Sequence, residues 1–220
     1  MVNLSSARPA SGGDRRALPI KRFLAAVATA ASLAAATAHA ESIGPVTPRA
    51  KKMVRLLDSM GVERKWQARV HVDWATGLPA GEQSPAYRGT HCSGFVDAVA
   101  LKLKINAGAP DDRLANPSAN RQAEFLRSGG GGWRSLPDGL AAQAAANRGE
   151  FVVAVLQDLP VGHAAVVRPA SKSEAQVRAE GPQVTQAGGH NYASAPAMAG
   201  FSFHRSGLAR VEYYAHAMNW

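Results

Sequence analysis

The chain has 220 residues, enough for one ordinary domain behind a leader. Its formal charge is +9, but residues 41–220 carry 20 Lys and Arg against 15 Asp and Glu, a balance of only +5 with no long basic block. That weighs against a nucleic-acid partner and fits mild attraction to anionic polymers or lipid headgroups. With one cysteine, no internal disulfide can form.

The first forty residues carry the pattern of a secretory signal peptide. Arg15, Arg16, Lys21 and Arg22 make a basic region. An alanine-rich apolar run follows over 23–36, and Ala38-His39-Ala40 puts small residues at both A-x-A positions. The alternative is an N-terminal membrane anchor, but the run is shorter than the roughly 20 residues of a span. The Arg15-Arg16 pair raises a twin-arginine route, which the residues after it fit poorly. The expectation is residues 1–40 as leader and 41–220 as one exported domain, periplasmic or secreted, with no later membrane span.

In the mature part, Thr47 and Pro48 open a helix to about 60. Met53, Leu56, Leu57 and Met60 give it one apolar face, and Gly61 ends it. Partial alternation over 66–74 reads as an extended segment, and 77–89, rich in Gly and Pro, as a loop. A second helix runs over 92–104 behind Thr90 or His91, with Cys92, Val96, Val99 and Leu103 on one face. A short helix lies near 119–126, a turn at 128–132, and an alanine-rich helix over 140–147, closed by Arg148-Gly149. Then come strands over 151–156, 163–168, 183–187 and 209–215, with a polar loop over 171–181. Helices first and a meandering sheet after them predict an α+β domain.

A lone cysteine in an exported protein is a buried core residue, an intermolecular link or a reactive thiol. Cys92 sits where a loop feeds a helix N-terminus. Free backbone N–H groups and the positive end of the helix dipole stabilise a thiolate there. The bland alternative is the first apolar residue of a buried helix face. A nucleophilic thiol needs a base within hydrogen-bond reach. Of the seven histidines, His163 is the best candidate, at the start of an apolar strand behind Gly162. His91 adjoins Cys92 but points elsewhere on a helix start. His190, His204 and His216 read as surface residues.

The segment Thr90-His91-Cys92-Ser93-Gly94-Phe95-Val96 resembles the Cys-Ser-Gly-Phe/Leu-Val opening of the catalytic helix in NlpC-type and CHAP-type cysteine peptidases. Gly162-His163-Ala164-Ala165-Val166-Val167 resembles that family's Gly-His-Val-Ala-Val-Val strand. Residues 143–155, with Asn147-Arg148-Gly149, are similar to the helix-Asn-x-Gly-strand approach to it. The likeness covers residues 74 to about 192. It implies a papain-like fold, N-terminal helices packed on a small antiparallel sheet, with Cys92 as nucleophile and His163 as base. It also implies a polar residue on the following strand to orient the imidazole, as Asn does in Cys-His-Asn sites. Gln186 is the first choice for that part, sharing a strand face with Val184. Asn191 is the second, although Gly188-Gly189-His190-Asn191 departs from the family's strand pattern. Trp74 and Asn191 are candidate substrate contacts, although a Trp in that position is more often core packing.

There is no His-Glu-x-x-His, no cysteine pair, no phosphate-binding glycine loop and no Gly-x-Ser-x-Gly elbow, so no metal or cofactor is implied. The resemblance with export implies a cysteine amidase or peptidase acting on peptidoglycan peptide or sugar–peptide amides. The rival readings are a non-catalytic envelope-binding module on the same fold and an acyltransferase using the same pair.

Overall fold

The computed structural model describes residues 43–220. The leader expected over 1–40 lies outside the described residues. The architecture is α+β. Its main sheet has six strands, every pair antiparallel, in the order β3-β8-β4-β5-β6-β7. These are β3 (Trp133–Leu136), β4 (Phe151–Leu156), β5 (His163–Val167), β6 (Gln183–Gln186), β7 (Tyr192–Pro196) and β8 (Glu212–His216). The strands β1 (Val72–Asp73) and β2 (Leu78–Pro79) form a separate two-stranded ribbon.

Helices cover both faces of the large sheet. α1 (Pro48–Met60), α2 (Cys92–Lys102) and α3 (Ala119–Arg127) share one core with Phe151, Val153, Val155, Ala164 and Val166. α4 (Gly139–Arg148) and α6 (Met198–Phe201) share the other with Val152, Ala154, Leu156, Ala165 and Val167. Strand alternation explains the division: odd residues of β4 face one core and even residues the other. Both faces are buried, so β4 and β5 read as unbroken apolar runs. A further helix, α5 (Glu174–Glu180), packs against α4. Among the described residues no helix is long and apolar enough to cross a membrane.

Local chemistry sets the helix ends. The Thr47 hydroxyl accepts the Ala50 N–H, Pro48 stands at the first turn, and Gly61 closes α1 in the left-handed region. Asp138 caps α4 by accepting from the Ala141 N–H. Ser173 and Gln176 form a reciprocal capping box on α5, where the polar composition predicts only a loop. The extended segment expected over 66–74 shrinks to Val72–Asp73. Residues 92–100 are all buried, so α2 is a central helix rather than one with a single apolar face. β3, β7 and α6 have no counterpart in the sequence reading.

Asn147 ties α4 to two loops. Its Nδ2 donates to the Gly44 carbonyl (3.0 Å) and the Ala170 carbonyl (3.1 Å), while Oδ1 accepts from Ala170 N–H (3.0 Å) and Gln143 Nε2 (3.1 Å). It is buried, so removing the amide strands several backbone groups. Asn147→Ala is expected to cost about 2–4 kcal/mol in urea unfolding. A loss well under about 1 kcal/mol would mean water replaces those bonds.

Candidate active site

Cys92 opens α2, which lies against β5. The preceding residue, His91, does not cap the helix with its side chain. Its Nε2–H donates to the Val70 carbonyl at 2.8 Å and its ring stacks on Tyr87. Burial pushes the His91 imidazole below its usual range, so it stays neutral and turned to another partner.

The Cys92 thiol is near enough to the imidazole of His163, the first residue of β5, for each to shift the other's proton affinity. By register His163 pairs with Leu156, whose side chain faces the α4 core, whereas Cys92 belongs to the α2 core. The ring reaches the thiol because it stands at the end of its strand. Gly162 makes that corner possible: a Cβ there would meet the Leu156 carbonyl and the Asn120 amide oxygen. His163 Nε2–H donates to Gln186 Oε1 at 3.1 Å, and this leaves Nδ1 for the thiol. A β-bulge between Val184 and Gln186 sets the aim of the Gln186 side chain. Gly200 leaves room for it, since a Cβ at Gly200 would fall on the Gln186 amide. Phe201 packs edge-on to His163 with ring centroids 4.7 Å apart.

The electrostatics of the pair oppose burial. Burial alone would push the Cys92 thiol up. The hydrogen bond and charge of His163, with backbone N–H groups of Ala164 and Ser93, outweigh it and bring the thiol below its usual range. Burial alone would likewise push His163 down. The bond and charge of Cys92, then the Gln186 carbonyl, lift it above its usual range. A thiolate facing an imidazolium is the protonation state both shifts favour.

Beside the pair lies a cavity of about 320 Å³. His163, Gln186, Thr90, the glycines at 188 and 189, and His204 are among its walls. Cys92 is 4% exposed and is not one of them.

Of the residues singled out in the sequence, the structure brings Cys92, His163 and Gln186 together. It does not bring Trp74 or Asn191 to the cavity. Trp74 is buried in the α2 core against Gly94, and its indole N–H donates to the Asp112 carbonyl. Asn191 spends its amide on backbone: Nδ2 donates to Val62 and Lys65 carbonyls (both 2.8 Å), and Oδ1 accepts from Gly188 N–H. It anchors the 188–190 loop and makes no bond to His163. His204, expected at the surface, is instead stacked on His163 with centroids 6.1 Å apart.

Sequence reasoning also missed Asp97, five residues along α2 from Cys92. It is 1% exposed and accepts from Gln122 Nε2 at 2.7 Å. Burial raises it to about 8, Gln122 works against that, and the Cys92 charge adds to it. No sequence signal marks it, because an Asp within an apolar helix reads as solvent-facing. Among the described residues, no group of three or more His, Cys, Asp or Glu is placed to hold a metal ion. No protein-family model matches the chain, and a search of curated proteins finds no match.

Two outcomes follow from these contacts. Gly200→Ala must displace the Gln186 amide, so the His163 titration midpoint, read from its ring proton by NMR, is expected to fall, and Gln186→Ala should move it the same way. An unmoved midpoint in both would show that Gln186 does not hold the imidazolium. Asp97 has a folded proton affinity far above its unfolded value of 3.8. Its favourable contribution is therefore complete below that value and is lost as pH rises toward about 8. Asp97→Asn cannot ionise, so urea unfolding should find the variant gaining stability relative to wild type between acid pH and pH above that midpoint. A constant difference would mean that Asp97 titrates alike in the folded and unfolded states.

Proposed function

We propose that the protein is a papain-like cysteine hydrolase that cleaves amide bonds through a Cys92 acyl-enzyme, with peptidoglycan peptide or sugar–peptide amides as its substrates. The observation that carries this reading is Cys92 at a helix N-terminus coupled to His163, which is bonded to Gln186, with both proton affinities shifted toward the ion pair. The NlpC/CHAP-like motifs around Cys92 and His163, lying on a helix and a strand in that order, support the papain-like assignment. The peptidoglycan substrate rests on that resemblance and on the leader pattern.

In this mechanism the thiolate attacks the carbonyl carbon. Open N–H groups of the first turn of α2 stabilise the oxyanion. The C–N bond breaks as His163 gives its proton to the leaving amine, leaving a thioester. Water then attacks, His163 takes its proton, and the C–S bond breaks to release the acid and restore the pair. Gln186 fixes the imidazole by accepting from Nε2–H, so Nδ1 stays aimed at sulfur.

The burial of Cys92 favours a second reading, a non-catalytic envelope-binding module in which the thiol only packs. An acyltransferase would use the same thioester with an amine in place of water. The purified protein is expected to release new amino groups from peptidoglycan, with Cys92→Ala and His163→Ala lowering the rate about a thousandfold or more. Added amine captured in the product would mark acyl transfer. Retained binding with no bond cleaved would leave the binding module.

A further inference from the structure

One wall of the cavity beside His163 is His204, which is paired with Asp158 and is not used in the hydrolytic cycle. His204 stacks on His163 at 6.1 Å with the rings 29° apart, and its Nδ1 lies 3.1 Å from Asp158 Oδ2. Asp158 is itself fixed. Its Oδ1 accepts from the Leu159 N–H, and the Asn120 amide bonds both its backbone N–H and its carbonyl. With Nδ1 committed, Nε2 is the His204 nitrogen left for a ligand. The remaining walls are hydroxyl, amide, imidazole, glycine and apolar groups: none is Asp, Glu, Lys or Arg. The volume of about 320 Å³ suits a small ligand or the end of a peptide.

We propose that His204, braced by Asp158, is a specificity-determining residue that binds a carboxylate on the substrate, next to the amide cleaved at Cys92. This rests on the hydrolase reading above. For Nε2 to donate to a ligand carboxylate while Nδ1 donates to Asp158, both ring nitrogens must carry a proton. Arg210 lies close enough to act on Asp158, and His163 and His190 are the other titratable groups facing the ring or the cavity. No acidic wall opposes an anion there. Val161 and Phe203, both largely exposed at the rim, would cover the apolar part of the same ligand.

Because Cys92 is the chain's one cysteine, it reports on this directly. The probes are N-iodoacetylglycine and N-iodoacetylglycinamide, which carry the same reactive carbon and differ only in a carboxylate. The readout is the ratio of their alkylation rates, followed by intact mass. Wild type is expected to favour the acid by about tenfold, the lower end for a hydrogen bond to a charged group. His204→Gln should lose most of that ratio. His204→Phe, which keeps an aromatic ring against His163 without either nitrogen, should lose it too. A ratio unchanged in both variants, or rates for the two probes falling equally, overturns the carboxylate assignment. If instead wild type reacts with both probes no faster than His163→Ala, it is the hydrolase reading that fails.

Discussion

The structure turns on one buried contact, the Cys92 thiol against the His163 imidazole. Each group alone would be neutral in such surroundings, because burial penalises a thiolate and an imidazolium alike. The attraction between the two opposite charges works against that penalty. The N–H groups of Ser93 and Ala164 and the Gln186 carbonyl then add to the charged form of the pair.

Much of the fold serves to keep that contact in register. The sheet separates two cores, and Cys92 and His163 start from opposite sides of it. They meet only because one residue begins a helix and the other begins a strand. Gly162 lets the chain turn into β5, Gly200 leaves space for the Gln186 amide, and Asn191 ties the 188–190 loop back to the segment after α1. Gly162 thereby places His163, and Gly200 the Gln186 amide that bonds it.

Local rules made some of this legible. The Thr47 and Pro48 start and the Gly61 stop bound α1 as the sequence predicts, and the apolar runs at 151 and 163 are β4 and β5. Cys92 at a helix start and His163 at a strand start could be read as candidates for the same reason. What stayed hidden depends on tertiary contact. Gln186 and Asn191 were both plausible partners for His163. A β-bulge and a glycine in α6 turn the Gln186 amide onto the ring, while Asn191 binds backbone elsewhere. The Ser173-x-x-Gln176 capping signature was present but sat in a polar stretch that reads as loop. Asp97 and His204 carry no sequence signal, since what distinguishes them is what folds over them.

The most direct test of the central claim is the ultraviolet absorbance of the Cys92 thiolate, followed from about pH 4 to about pH 10 in wild type and His163→Ala. Since the chain has one cysteine, Cys92→Ser supplies the blank. The account predicts a thiolate signal already present well below the ordinary thiol midpoint of about 8.5 in wild type. In the variant that signal should move above the midpoint, where burial acts unopposed. A wild-type thiol that ionises at or above the ordinary midpoint, with the variant indistinguishable from it, would contradict the ion pair and the chemistry built on it.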